Sequence, residues 1–134
     1  MSTEGLDKRH YWEVEWEGKW AGIGVAYKDM KRKGHDNERL MGYNENSWSL
    51  HCSGRGYRAY HNFESVVTGV PFGGCRGLAV YLDWPAGMLS FYRVCPERSL
   101  THLHTFFTRF TKPLYPIFRV WCKDSSVRLC QTSD

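Results

Sequence analysis

The stretch "GLAVYLDWPAGMLSFYRV", residues 77–94, decides the fold of this 134-residue chain. It holds two apolar, aromatic-rich runs on either side of a turn with the sequence Asp-Trp-Pro-Ala-Gly. Runs of this kind, bounded by turn residues, predict two strands joined as a hairpin. We expect Asp83 to cap the turn by accepting hydrogen bonds from backbone N–H groups. The residues that build this hairpin are then Leu82, Asp83, Gly87 and Phe91.

A second strand pattern lies near the N-terminus, where "HYWEVEWE", residues 10–17, alternates strictly between apolar and polar residues. This period of two is typical of a half-buried strand. The core face carries Trp12, Val14 and Trp16, and the solvent face carries Glu13 and Glu15. The run "WAGIGVAYK" follows after Gly18 and Lys19, and we predict that it pairs with the first strand as a hairpin. Its glycines would let a neighbouring backbone approach closely.

The rest of the chain repeats short strand-like runs separated by turns. Residues 28–39 form a polar segment without periodicity, which indicates a long surface loop. The run "HLHTFFTRF", residues 102–110, is open between a strand and a short helix. About ten short strands with little room for helix predict one all-β domain over residues 1–134, an antiparallel two-sheet sandwich.

Composition excludes several classes of protein. The net charge of +4, from 18 basic and 14 acidic residues, is too mild for a nucleic-acid-binding domain. No apolar run approaches the roughly 18 residues of a membrane span, and the N-terminus lacks the apolar segment of a signal peptide. The five cysteines include no Cys-x-x-Cys pair, so we expect reduced thiols and a cytoplasmic protein.

Catalytic and metal-binding patterns are weak. There is no Gly-x-Ser-x-Gly nucleophile motif, and Glu13 with Glu15 is better explained as a charged strand face than as a pair of catalytic carboxylates. His102 and His104 are two residues apart and could offer nitrogens to zinc if Cys95 or His61 supplied a third ligand. Without supporting spacing, we predict no metal, no cofactor and no enzymatic activity.

Binding is the function that remains. Loops on a rigid sandwich commonly carry recognition residues, and exposed aromatic and arginine side chains anchor interfaces. The candidate segments are residues 28–39, residues 53–58, the turn around Trp84, and residues 97–107. For most of the individual Trp and Tyr residues, a place in the core is nevertheless the more ordinary expectation.

Three ordered motifs resemble a known family. Trp12-Glu13-Val14-Glu15 is similar to its Trp-Glu-Val-Glu signature, "LDWPAGMLSFY" to its Leu-Asp-Tyr-Glu-x-Gly-x-Leu-Ser-Phe-Tyr signature, and "KPLYPIF" to its Pro-Leu-x-Pro-x-Phe motif. The chain therefore resembles the SPRY part of a PRY-SPRY domain, from about Leu6 to Cys130. Such domains end tripartite-motif ubiquitin ligases, NLR-type immune receptors and stonustoxin-like toxins.

The resemblance implies a bent, concanavalin-like sandwich that is not catalytic. It implies recognition of a protein or peptide through loops at one edge, as the C-terminal substrate- or ligand-binding domain of an immune-type protein. The candidate contacts are Lys28, Lys31, Arg32, His51, Ser53, Arg55, Tyr57, Trp84 and Phe106. Trp84 and Pro85 stand where the family usually has Tyr-Glu, so we expect an exposed ring at this turn.

A PRY segment, with its Leu-Asp-Pro motif, would precede Leu6 and is not in this sequence. We therefore expect a fragment or a short product of a longer parent, with an apolar patch or unpaired strand edge that favours self-association. Two alternatives remain open: the terminal domain of a stonustoxin-like pore-forming toxin, and a carbohydrate-binding sandwich that uses an exposed Trp.

Overall fold

A computed structural model describes residues 6–27, 47–62, 64–97, 99–120 and 126–133. These ranges contain ten β-strands and no helix. The strands are β1 (Arg9–Glu17), β2 (Trp20–Tyr27), β3 (Ser47–Ser53), β4 (Gly56–His61), β5 (Glu64–Val67), β6 (Gly77–Asp83), β7 (Met88–Val94), β8 (Leu100–Phe107), β9 (Leu114–Val120) and β10 (Ser126–Ser133). The open choice for residues 102–110 is thus settled as a strand, β8, that ends at Phe107.

The strands form two antiparallel five-stranded sheets. The first sheet has the order β10-β1-β6-β7-β8, and the second has the order β5-β4-β3-β2-β9. The predicted all-β sandwich is confirmed. The core lies between the sheets, where the alternation of each strand turns its apolar side chains inward.

The inner faces of the sheets carry the apolar residues that the alternating sequence pattern predicted for the core. On β1, Trp12, Val14 and Trp16 are buried, with exposures of 4%, 1% and 0%. The inner face of β2 supplies Ala21, Ile23 and Val25, all fully buried. The other core residues come mainly from β3 (Trp48, Leu50, Cys52), β6 (Leu78, Val80, Leu82) and β7 (Leu89, Phe91).

The hairpin of β6 and β7 is confirmed, with Leu82 opposite Leu89 and Val80 opposite Phe91. In its turn, Asp83 Oδ1 accepts a hydrogen bond from the Ala86 N–H at 3.3 Å, which is the predicted capping role. Gly87 has a positive φ of 72°, and a Cβ there would lie 2.3 Å from the Thr108 carbonyl oxygen. The turn therefore requires glycine at this position.

The hairpin predicted for β1 and β2 is wrong. β1 pairs with β10 and β6, whereas β2 pairs with β3 and β9. Both strands carry an apolar inner face, so the chain crosses at Gly18 and Lys19 from one sheet to the other and the two strands face each other across the core. The predicted close approach beside β2 is confirmed at Gly24, where a Cβ would lie 2.7 Å from the Ser49 Cα.

The outer face of β1 is not the solvated charged face that we expected. Glu13 is only 5% exposed and accepts a hydrogen bond from the Tyr11 hydroxyl at 2.5 Å. Glu15 is half-buried. β1 lies between β10 and β6, so its side chains have neighbours on both sides. The alternation within one strand does not predict how far such neighbours bury a side chain.

The expectation of reduced thiols is wrong for two of the five cysteines. Cys75, before β6, and Cys95, after β7, form a disulfide with a Cα–Cα distance of 4.9 Å. Their sequence separation of 20 did not indicate a disulfide. The two cysteines meet because β6 and β7 pair as a hairpin, which brings the residues before β6 close to those after β7. Cys52 is a free, buried thiol whose pKa is raised by burial.

Candidate functional site

A cleft of about 490 Å³ opens on the second sheet beside the β3–β4 turn, and we call it the β3–β4 cleft. Its floor and rim come from β2, β3 and β4, and one wall comes from the segment between β5 and β6. The lining residues are Trp20, His51, Ser53, Arg55, Gly56, Tyr57, Arg58, Tyr60, Val67, Gly69, Val70 and Pro71.

Strand register explains why these side chains meet. Gly22 lies opposite His51, His51 opposite Arg58, and Arg58 opposite Val67, which makes one row across four strands. Residues directly opposite in antiparallel strands share a face of the sheet. Trp20 is in the next outward position of β2, opposite Ser53. Outward alternation thus gathers an aromatic ring, an imidazole and a guanidinium on one rigid surface.

Local contacts hold several of these groups in place. The rings of His51 and Tyr60 stack with centroids 4.0 Å apart. Arg58 Nη1 donates a hydrogen bond to Ser65 Oγ at 3.1 Å, which directs its guanidinium along the surface towards β5. At the turn, Ser53 Oγ accepts a hydrogen bond from the Arg55 N–H at 3.2 Å. Trp20 keeps 45% of its surface exposed and so offers an open apolar ring.

Tyr57 differs from the other predicted contacts of this region. Its side chain is only 4% exposed, and its hydroxyl donates to the Cys75 carbonyl oxygen at 3.4 Å. Burial is the main cause of a raised pKa for its phenol, so the group stays neutral. Tyr57 therefore contributes to the cleft mainly as part of its packed base, because it lies opposite Cys52 on the inner side of the sheet.

The wall of the cleft at Val70 and Pro71 is tied to the first sheet. Arg93 Nη1, on β7, donates a hydrogen bond to the Pro71 carbonyl oxygen at 2.8 Å. The Cys75–Cys95 disulfide closes the same segment a few residues later. In addition, the Cys75 N–H donates to the Phe72 carbonyl oxygen at 3.1 Å. These contacts hold the wall in place against the first sheet.

Trp84 lies in a different place, beside a hollow of about 330 Å³ that we call the turn hollow. It is lined by residues 84–87 and 107–110. Trp84 is half-buried, its Nε1 donates to the Lys112 carbonyl oxygen at 2.9 Å, and its ring lies 6.4 Å from that of Phe110. The expectation of an exposed ring is therefore wrong, because internal contacts already occupy both the ring and its N–H.

Phe106 is likewise engaged inside the protein. It is half-buried against the core, and its ring lies 4.5 Å from that of His104 and 6.3 Å from that of Phe91. Burial, and secondarily the neighbouring His102, lowers the pKa of His104. The adjacent Phe107 is 75% exposed and is the more accessible ring at this end.

Comparison with known proteins now decides the family. The SPRY domain profile matches residues 9–132 of this chain. The chain belongs to the SPRY family. SPRY domains are non-catalytic interaction modules, so this assignment agrees with a site made of surface rings and cations.

Individual relatives of this SPRY domain fall into two groups. It is 46% identical over 121 residues to stonustoxin subunit beta of Synanceia horrida, covering 90% of this chain and 17% of that protein. It is 34% identical over 122 residues to tripartite motif-containing protein 16 of Mus musculus, covering 90% of this chain and 21% of the relative. The chain thus spans only about a fifth or less of the length of these curated relatives.

Two solved structures support the same assignment. The stonustoxin structure superimposes with a TM-score of 0.83 at 42% identity, over 96% of the SPRY domain and 20% of that chain. The TRIM65 PSpry domain superimposes with a TM-score of 0.82 at 28% identity, over 96% of the SPRY domain and 67% of that chain. The resemblance expected from the motifs is confirmed.

The predicted contacts of the SPRY domain do not gather at one edge. His51, Ser53 and Arg55 lie at the β3–β4 cleft, whereas Trp84 and Phe106 lie at the end of the sandwich where β6 stops. A strand rises about 3.3 Å per residue, so the seven residues of β6 separate the two ends by about 20 Å. Lys28, Lys31 and Arg32 lie outside the described residues.

Several cleft residues of the SPRY domain were not among the predicted contacts. Trp20, Arg58, Tyr60 and Val67 lie within strands, whereas the predicted binding residues were expected in loops. Their outward positions follow from the period of two once the register is known. Likewise, residues 97–107 are largely the strand β8, not a loop.

The zinc alternative finds no support in the SPRY domain. Cys95 is in a disulfide, and the His61 Nδ1–H donates to the Ser47 carbonyl oxygen at 2.7 Å. His102 Nε2 lies 2.7 Å from Thr105 Oγ1. Across the ranges that the structure describes, no three His, Cys, Asp or Glu side chains are grouped to hold a metal ion, and no helix there could span a membrane.

Proposed function

We propose that this SPRY domain recognises a protein or peptide partner at the β3–β4 cleft. The observation that carries the proposal is the row formed by His51, Arg58 and Val67, with Trp20 beside it, on adjacent strands. Aromatic and arginine side chains are enriched where interfaces hold most of their binding energy. A volume of about 490 Å³ is also within the usual range of ligand sites, about 300–1,000 Å³.

The rigidity of the cleft supports the same function. The floor belongs to β2, β3 and β4 in the middle of the second sheet, and the Pro71 wall is bonded to Arg93. A preorganised surface loses little conformational entropy on binding, so more of the contact energy appears as affinity. At the turn hollow, by contrast, the Trp84 ring and its N–H are already engaged by Phe110 and Lys112, which leaves less of this side chain for a partner.

A partner-capture experiment tests the location. The wild type and two double variants, Trp20→Ala with Arg58→Gln and Trp84→Leu with Phe107→Ala, are compared by proximity labelling. We expect the cleft variant to lose specific partners that the turn variant keeps. Identical partner lists from the wild type and the cleft variant, with loss in the turn variant, would place the site at the turn hollow.

We propose further that the domain is the ligand-binding end of a longer polypeptide. One candidate parent is an immune-type protein built like the tripartite-motif relatives, which would be cytoplasmic. The other is a toxin subunit built like stonustoxin. The identity of 46% to stonustoxin subunit beta exceeds the 34% to tripartite motif-containing protein 16. The Cys75–Cys95 disulfide also favours the toxin type, since disulfides persist in oxidising compartments.

The state of the thiols in the native protein separates these parents. Alkylation under denaturing conditions, followed by peptide mass spectrometry, reports whether Cys75 and Cys95 are joined. A joined pair supports a secreted, toxin-type parent. Free, fully alkylated thiols in freshly isolated protein support the cytoplasmic, ligase-type parent.

Self-association remains a further proposal. β5 is an edge strand of the second sheet, and Val66 and Val67 on it are 51% and 59% exposed. Exposed apolar edge strands favour pairing with a second chain. Gel filtration with light scattering should show a dimer that Val66→Lys converts to a monomer; a monomer at every concentration would contradict the proposal.

A further inference from the structure

We infer that the β3–β4 cleft selects an acidic peptide segment that presents a carboxylate to Arg55 and Arg58 and an apolar side chain to Trp20 and Val67. The inference rests on the proposed protein-binding function and names the chemistry of the partner. Four groups that line the same cleft carry it.

The charge of the cleft is of one sign. Arg55, Arg58 and His51 all line it, and none of its lining residues is Asp or Glu. The ion pair of Arg9 with Asp83 lies far from the cleft, at the β6–β7 turn. Neither guanidinium group has a carboxylate partner among the described residues. Both can therefore donate hydrogen bonds to a carboxylate of a ligand.

The apolar part of the cleft is next to this charge. Val67 is 59% exposed and lies directly opposite Arg58 in the β4–β5 pairing. Trp20 is 45% exposed at the opposite side, where β2 meets β3. A ligand that spans the cleft therefore meets an apolar group, a cation and a second apolar group in sequence. An extended peptide turns its side chains i, i+2 and i+4 to the same side, so an apolar, an acidic and a second apolar residue at these alternate positions fit this order.

The mild overall charge argues that the selection is local. A net charge of +4 does not attract polyanions strongly, and two arginines are fewer than the stripe of cations that follows a phosphate backbone. The turn hollow provides an internal comparison. Its lining includes Arg109 but places beside it a Trp84 that is already bonded within the protein. We therefore assign the acidic preference to the β3–β4 cleft and not to the surface in general.

A peptide display library of random sequence, panned against the full chain, tests the inference. We expect enriched peptides to combine Asp or Glu with an aromatic or aliphatic residue within two positions. Synthetic versions should bind about tenfold more weakly to Arg58→Gln and to Arg55→Gln than to the wild type. Arg109→Gln, the matched control, should bind them as tightly as the wild type does. Their Kd should also rise several-fold between 50 and 300 mM salt, because part of the attraction is screened.

Other outcomes separate failure of the inference from failure of the proposed function. Enriched peptides without acidic residues, whose binding is lost in Trp20→Ala but kept in Arg58→Gln, would leave the cleft as the site and overturn the acidic partner. Peptides that bind all cleft variants equally would overturn the site itself. A glycan array tests a further outcome. If the domain binds a sialylated glycan more tightly than any peptide, and Arg58→Gln abolishes that binding, the ligand of the cleft is an acidic carbohydrate and not a peptide.

Discussion

The two ends of this sandwich use similar residue types in opposite ways. At the turn end, Trp84 donates to the Lys112 carbonyl oxygen, and the Thr111 N–H donates to the Tyr27 hydroxyl at 3.0 Å. At the cleft end, Trp20 keeps 45% of its surface in solvent. Trp84 therefore helps to close the sandwich at the turn end, near an exposed Phe107, whereas Trp20 remains available at the cleft end. An unusual aromatic residue in a turn is not by itself a sign of a binding site.

The difference has a structural cause. At the turn end, the chain leaves β8 and passes under Trp84, so that the Thr108 N–H donates to the Gly87 carbonyl oxygen at 2.9 Å. At the cleft end, the β3–β4 turn is short and stays at the edge of the floor. Coverage by a neighbouring segment, not residue type, decides which ring is free.

The largest expected loss of stability comes from a substitution in the core, between the two ends. Trp12→Ala should lower the free energy of unfolding by about 3 to 5 kcal/mol, because a ring that is 4% exposed leaves a cavity when it is truncated. Urea denaturation followed by far-UV circular dichroism measures the loss. A change below about 1 kcal/mol would mean that β1 presents its other face to the core.

Removal of the disulfide tests whether the cleft end depends on its covalent tie. Cys75→Ser should cost about 2 to 4 kcal/mol, because the crosslink closes a loop with a sequence separation of 20. Hydrogen exchange should rise at residues 70–74, the segment that begins with the cleft wall at Val70 and Pro71. Reductant should destabilise the wild type to the same level and leave the variant unchanged. A wild type that is insensitive to reductant would show that the two thiols are not joined.

Substitution of one glycine in each turn compares the packing of the turns at the two ends. Gly87→Ala should cost about 1 to 3 kcal/mol, because alanine is strained at a φ of 72° and its Cβ would meet the Thr108 carbonyl oxygen. Gly54→Ala, in the β3–β4 turn, has no atom within 4 Å of its Cβ and should change stability by less than about 0.5 kcal/mol. Thermal unfolding measures both. Equal losses would remove the distinction between a packed and an open turn.

Two tryptophans give the smallest and most direct contrast. Trp84→Leu should cost about 1 to 2 kcal/mol, from the lost hydrogen bond to Lys112 and the lost ring contact with Phe110. Trp20→Leu should change stability by less than about 0.5 kcal/mol, since the ring is 45% exposed. Chemical denaturation of the two variants in parallel checks the difference. A larger loss for Trp20 would mean that the exposed ring stabilises the fold and is not reserved for a partner.

Local pattern was enough to predict much of the fold. The alternation of Trp12, Val14 and Trp16 identified a core face, and the turn residues of the β6–β7 hairpin identified Asp83 as its cap. These features depend on residues that are close in sequence, and so they can be read without knowing the partners of a strand. Strand pairing was different: β1 and β2 are consecutive, yet they belong to opposite sheets.

The sequence by itself determined an all-β chain with identifiable core positions and motifs of the SPRY family. Only the tertiary structure decided that Trp84 and Tyr57 are engaged internally, that Cys75 meets Cys95, and that Trp20 shares a cleft with His51 and Arg58. The physical reason is that burial and proximity between distant segments depend on sheet order and register. Periodicity specifies which face a side chain takes, whereas the fold specifies what covers that face.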